Sequence, residues 1–134
     1  MSASVIRIVA AVCLQDGYLL TVRKQDTERF MLPGGKPETG EAPLDTLHRE
    51  LMEELGVGPA VPGLPFGSFR APAANEAGFE VEALLYKVEL SGPVVPAAEI
   101  AEIRWVDPAD VGEVLLAPLL VLHVLPRLVA EIGV

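Results

Sequence analysis

"GKPETGEAPLDTLHRELMEELGV", Gly35 to Val57, decides how this chain is read. A turn rich in glycine and proline runs into a segment where Leu44, Leu47, Leu51 and Leu55 recur at spacings of three and four. That recurrence is the buried stripe of a helix. Pro43 suits a first turn, where a missing N–H costs little, and Gly56 stands where a left-handed cap is expected. The helix is therefore predicted from about Glu41 or Ala42 to Leu55. At about 100° per residue from Leu44, Glu50, Glu53 and Glu54 fall at roughly 240°, 180° and 280°, against a leucine stripe at roughly 300° to 20°. The three carboxylates thus share one flank, beside the buried face and not within it. Like charges at these spacings destabilise a helix by a few tenths of a kcal/mol per pair. A hard divalent cation such as Mg²⁺, which takes oxygen ligands, would remove that penalty. Acidic helix faces are commonly just solvated, so the cluster gains meaning only from its surroundings.

Working outward, the loop "FMLPGGKPETG" at 30–40 carries three glycines and two prolines and reads as irregular. It enters the helix from its N-terminal side, where backbone N–H groups can meet phosphate oxygens. Gly34 and Gly35 let the backbone approach a ligand closely or offer it a carbonyl. Arg49 and Glu41 are of opposite sign and can pair, pinning the loop onto the helix. Upstream, "VIRIVAAV" at 5–12 reads as a buried strand, "QDG" at 15–17 as a turn, and "YLLTVRK" as a partner strand in a hairpin. Downstream come a short strand near Phe66–Arg70, a strand in "FEVEALLYKVEL" at 79–90 and another in "EIRWV" at 102–106. "DPAD" at 107–110 is expected to start a helix, with Asp107 as N-cap and Pro108 at its first position. The apolar stretch "VLLAPLLVLHVLPRLV" is read as a packed helix or helix pair.

The 134 residues suffice for one domain, 1–134, and not for two ordinary ones. Apolar residues make up 51% and charged residues 22%, a globular composition. The formal net charge of −9 argues against gripping polymeric nucleic acid, which needs a basic patch. It leaves room for a small polyanion, because bound metal ions reverse the sign of a local site. The single cysteine, Cys13, allows no disulfide within the chain, and the expected environment is the cytoplasm. No membrane segment or signal peptide is expected.

With its neighbours in place, the opening stretch resembles the signature of the Nudix hydrolases, G-x5-E-x7-R-E-U-x-E-E-x-G-U, with U a bulky aliphatic residue. Every specified position is filled: Gly35, Glu41, Arg49, Glu50, Leu51, Glu53, Glu54, Gly56 and Val57. The box, 35–57, covers about a sixth of the chain, and the order of strands and helices around it agrees with the same fold. The resemblance implies an α/β fold, specifically an α/β/α sandwich with a mixed sheet flanked by helices. It also implies metal-dependent hydrolysis, with Mg²⁺ or Mn²⁺, of a diphosphate bond in a nucleoside diphosphate linked to another moiety. Glu50, Glu53 and Glu54 would hold the metal, with the main-chain carbonyl of Gly34 as a further ligand. Arg49 and Glu41 would be the orienting pair that supports the catalytic set, in which Glu50 or Glu53 accepts the proton of water. Arg23, Gly35, Lys36, Glu99 and Glu102 are further candidates for substrate contact.

Size and arrangement resemble the small MutT-like members, which cleave nucleoside triphosphates, including oxidised ones. The alternatives are an ADP-ribose or dinucleotide pyrophosphatase, for which Pro72 is a hint, and a nucleotide-binding module without catalysis. An isomerase of prenyl diphosphates would need a well-placed cysteine, and Cys13 lies far from the box. Phe30, Phe79 and Trp105 are candidates for stacking on a base, although core packing is the expected fate of Trp105. His48 and His123 are expected to be packed or partly exposed helix residues. The expected partner is a small nucleotide, with the protein a monomer or homodimer.

Overall fold

The fold follows from alternation along one central strand. In a computed structural model, which describes residues 4–132, strand β1 (Ser4–Val12) sends Val9 and Ala11 to one face and Ala10 and Val12 to the other. Both faces are buried, as the unbroken apolar run requires. The remaining elements are β2 (Leu14–Gln15), β3 (Tyr18–Lys24), β4 (Gly34–Gly35), helix α1 (Pro43–Leu55), β5 (Leu64–Pro72), β6 (Phe79–Lys87) and β7 (Ile100–Val106). A π-helical segment, Leu120–Val124, then runs into helix α2 (Leu125–Ile132).

A four-stranded mixed sheet has the order β4-β1-β6-β5, with β1 and β6 parallel and the other pairs antiparallel. A second, antiparallel sheet has the order β2-β3-β7. Leu47, Leu51 and Leu55 of α1 pack with Val9, Ala11, Leu20 and Val22. On the opposite face Leu120, Val124 and Leu128 pack with Ala10, Val12, Ala83 and Leu85. The result is the expected α/β/α sandwich, with helices on both faces of a mixed sheet.

Several expectations change in detail. The hairpin turn forms, with Asp16 and Gly17 both at positive φ (53° and 85°), the geometry that suits a two-residue loop. Its arms then diverge: β3 pairs with β7, while β1 pairs with β4 and β6. Gly34 and Gly35 are not loop but a short strand against Val9 and Ala10. The strand predicted at Phe66–Arg70 is longer, Leu64–Pro72, because β6 offers it a full ladder. Leu44 is 40% exposed and leaves the apolar stripe, whereas Thr46 is fully buried.

No helix starts at Asp107. Its Oδ1 does accept an N–H, from Ala109, but the Asp110 N–H closes back onto the Asp107 carbonyl in a tight turn. Gly112 at φ +64° then leads the chain away from helical geometry. The helical stretch begins after Ala117, whose carbonyl accepts the N–H groups of Leu120 and Val121. Pro126 cannot donate, and its ring would crowd the carbonyl four residues earlier. The widened turn directly before it, with the Leu125 N–H on the Leu120 carbonyl, accommodates the proline inside one continuous helix. Among the described residues, no helix is long and apolar enough to cross a membrane.

Candidate functional site

Helix α1 delivers the box side chains because its ends are well defined. Ala42 is the N-cap, Pro43 follows it, and Gly56 at φ +74° closes the last turn onto the Met52 carbonyl. Arg49 lies at the centre of the polar flank. Its Nε and Nη2 donate to the two carboxylate oxygens of Glu41, each at 2.9 Å, a bidentate pair that fixes both planes. Nη2 also donates to the Lys36 carbonyl at 3.1 Å, so the loop is tied to the helix as the sequence suggested. Nη1 donates to Glu50 Oε1 at 2.8 Å and lies 3.5 Å from Glu53 Oε1. Arg49 therefore supplies the positive partner that the crowded carboxylates call for.

Glu41 is further held by the Thr46 hydroxyl and the Glu38 N–H. The Arg49 bonds, then those two, hold its carboxyl down at about 2. Thr46 is a site residue that sequence reasoning missed. Its burial inside α1 gives a polar side chain a reason to face inward, but its spacing matches no apolar pattern.

Glu54 is the main correction. It is only 2% exposed, so it lies within the buried face and not beside it. Its Oε1 accepts the Gly34 N–H at 3.0 Å, which draws the side chain across to the glycine strand. Burial pushes its carboxyl up to about 8, opposed by that N–H and reinforced by the nearby charge of Glu50. Burial likewise raises Glu50, with Arg49 opposing and Glu53 reinforcing. The glycines make this proximity possible. A Cβ on Gly34 would sit 2.2 Å from the Val9 carbonyl oxygen, and one on Gly35 would sit 2.4 Å from the Glu50 carboxyl carbon.

Carboxylates and a backbone carbonyl are the donor types a hard divalent cation takes, and two of them sit where burial and repulsion disfavour their ionised forms. The donor set therefore suits Mg²⁺ or Mn²⁺ in kind. Among the described residues, however, no three acidic, histidine or cysteine side chains already converge as a ligand group. Arg49 occupies Glu50 Oε1, and Glu53 is turned outward with its side chain 53% exposed.

A cleft of about 380 Å³ opens beside this network. Gly34, Gly35, Lys36 and Glu50 line one end of it together with Lys24 and Glu99, which are joined by a 3.2 Å ion pair. Arg23 and Glu102, the other candidates, are not among its lining residues. Arg23 instead donates to the Thr27 carbonyl and faces Glu102 at 3.5 Å. Lys24 takes the cleft-side place because neighbouring strand residues face opposite sides, and at the same point a bulge shifts the register against β7. No aromatic side chain lines the cleft among the described residues. Phe30 is buried in the core, Trp105 packs against the α1-side core, and Phe79 is 39% exposed elsewhere. The walls are aliphatic: Ile6, Ile8, Met31, Leu32, Val81 and Leu119. Pro72 also lines the cleft.

His48 is exposed on α1, with its ring near Gly58. His123 stacks on Phe69 at 5.1 Å, and its Nε2 meets the Arg70 carbonyl at 2.8 Å. Neither histidine touches the cleft.

Comparison with known proteins agrees with this architecture. The sequence pattern of the NUDIX domain matches residues 5–127. A "MutT-like protein" of Streptomyces ambofaciens is 29% identical over 109 residues, 81% of this chain and 67% of that protein. The solution structure of the E. coli ORF135 protein superposes with a TM-score of 0.70 at 27% identity, covering 98% of this chain and 91% of that one. The MutT protein from Methanosarcina mazei Go1 has the same fold, with a TM-score of 0.78 at 24% identity over 98% of this chain and 97% of that one. With the signature filled, the fold matched from end to end and the pattern spanning nearly the whole chain, the protein belongs to the NUDIX domain family.

Proposed function

We propose that this protein is a metal-dependent hydrolase that cleaves a diphosphate bond in a small nucleotide, a nucleoside triphosphate or an oxidised form of one. Hydrolysis of nucleotide diphosphate linkages is the chemistry of the family; the metal and the triphosphate are our reading. The observation that carries it is the mixed lining of the cleft, where Lys24, Lys36, the Gly34 and Gly35 backbones and Glu50 meet aliphatic walls that suit an uncharged ring.

Glu50, Glu53, Glu54 and the Gly34 carbonyl would hold the metal. When bound, a divalent cation neutralises the non-bridging oxygens of the diphosphate and lowers the pKa of water. The chain's own contributions are separate. Lys36 lines the cleft and has no ion-pair partner among the described residues, so its ammonium is available to a phosphate oxygen. Lys24 would exchange Glu99 for the same purpose. Arg49 holds Glu50 by Oε1, and Oε2 carries no hydrogen bond among the described residues. Of the two candidate bases, Glu50 is favoured: it lines the cleft, and burial raises its affinity for a proton.

A second reading, an ADP-ribose-like substrate, draws on Pro72 in the cleft wall. The test uses the full chain with nucleoside triphosphates, ADP-ribose and dinucleoside polyphosphates in Mg²⁺ or Mn²⁺. Release of nucleoside monophosphate and pyrophosphate from a triphosphate, stopped by a chelator, is expected. Hydrolysis confined to ADP-ribose favours the second reading, and no hydrolysis of any of them contradicts both.

A further inference from the structure

Thr46 has no part in the proposed hydrolysis, yet it is a polar side chain buried completely in the first turn of α1. A threonine hydroxyl inside a helix ordinarily bonds back to the carbonyl four residues earlier. Here that carbonyl, on Ala42, already accepts the N–H groups of Asp45 and Thr46, each at 3.0 Å, and the hydroxyl oxygen lies 3.3 Å from it. The Glu41 carboxylate is closer, with Oε1 at 2.7 Å from the hydroxyl. A hydroxyl has a single proton to donate. The shorter contact, to an ionised acceptor, takes it.

Glu41 is the junction of the network. Its Oε1 accepts from the Thr46 hydroxyl, from the Glu38 N–H at 3.0 Å and from Arg49 Nη2 at 2.9 Å, while Oε2 accepts from Arg49 Nε at 2.9 Å. Two of these donors stand on yielding ground. Glu38 belongs to the exposed loop, and Arg49 carries its guanidinium on a long, partly exposed side chain. Thr46 differs, because its hydroxyl sits one bond from a Cβ fixed on the helix. At 0% exposure it also lies where water cannot take the place of a missing hydroxyl. The Glu41 side chain keeps 15% exposure, so solvent reaches the carboxylate from elsewhere and leaves the Thr46 side to the protein.

Resting on the hydrolase reading above, we infer that Thr46 is a positioning residue: it anchors the Glu41 carboxylate and, through it, fixes the Arg49 guanidinium and the loop at Lys36. The consequence runs along the chain of bonds. Arg49 Nη2 holds the Lys36 carbonyl at 3.1 Å, and Nη1 holds Glu50 Oε1 at 2.8 Å. A Glu41 carboxylate free to turn releases the guanidinium between them, so the loop and Glu50 both lose their register. Outer partners that orient the groups of a site typically count for about ten- to a hundredfold in activity.

Thr46→Val and Thr46→Ser separate the hydroxyl from the space it fills. Valine keeps the branching and removes the donor, whereas serine keeps the donor; both should retain the wild-type circular dichroism. In NMR spectra of the full chain without metal or nucleotide, the Arg49 Nε–H and the Glu38 amide should be protected from exchange in the wild type and in Thr46→Ser. Both signals should be lost to exchange in Thr46→Val. Thr46→Ala, which removes the donor without adding bulk, should behave like valine. With nucleotide, kcat should fall about tenfold in Thr46→Val and stay close to wild type in Thr46→Ser. Protected signals or wild-type kcat in both variants that lack the hydroxyl, or serine failing as valine does, overturns the inference. A wild type that hydrolyses no nucleotide defeats the hydrolase reading instead, and the NMR comparison then decides by itself whether Thr46 fixes Arg49.

Discussion

Helix α1 starts on a proline, ends on a left-handed glycine and arranges four glutamates around Arg49. The C-terminal helical stretch has no side-chain hydrogen bond capping its π segment, carries a proline at its middle and widens into a π turn to contain it. Both bury leucines fully, Leu47, Leu51 and Leu55 in one and Leu120 and Leu128 in the other. They share an energetic basis in apolar burial and differ in what sets their boundaries. Local chemistry bounds α1, and packing against the sheet positions the C-terminal helix. The site is built on the helix with the local instructions.

Removing Arg49 attacks that difference where it is greatest. Arg49→Ala should lower kcat/KM for the hydrolysed nucleotide at least about a hundredfold, because misplacing catalytic groups by an ångström costs that much. Circular dichroism should show the helix still formed; turnover close to wild type would mean that the network is decorative. The shared basis is tested next. Leu51→Ala and Leu120→Ala should each cost about 2–5 kcal/mol in urea unfolding. A negligible cost at Leu120 alone would mean that the C-terminal helix is not part of the core.

A pH profile sharpens the account of α1. Glu54 keeps its proton in the fold up to about pH 8 and ionises in the unfolded chain near the ordinary 4.5. The folded state therefore binds more protons across this window, and stability falls as pH rises through it. Metal-free protein should lose melting temperature between about pH 4.5 and pH 8, and Glu54→Gln should remove that part of the slope. An unchanged slope would put the titration elsewhere. The smallest effect is expected at Pro126→Ala. The widened turn already accommodates the ring, so the change should stay below about 1 kcal/mol by urea unfolding.

The same contrast explains what the sequence made legible. Pro43, Gly56, the Asp16-Gly17 turn and the strand alternation act through neighbours in the chain, and each was readable there. So was the Glu41–Arg49 pair, eight residues apart on one helix and its entry. Helical angles put Glu54 on a flank beside the buried face because they carry no knowledge of β4, whose Gly34 N–H draws the carboxylate inward. Lys24 and Arg23 face opposite sides of β3, and which side borders the cleft depends on elements far away in the chain. The helix expected at Asp107 failed for a related reason. A capping aspartate also serves a tight turn, and only the position of Gly112 and the packing of Leu116–Leu120 distinguish the two. The aliphatic cleft walls needed the register of three strands.

The central claim, that the α1 carboxylates form a metal-dependent hydrolytic site, is tested most directly by turnover of Glu53→Gln and Glu54→Gln. Nucleoside triphosphate hydrolysis would be followed at saturating Mg²⁺, with folding checked in parallel. Both variants should remain folded and lose at least about a hundredfold in kcat, comparable to chelating the metal from the wild type. Wild-type turnover in both would contradict the account.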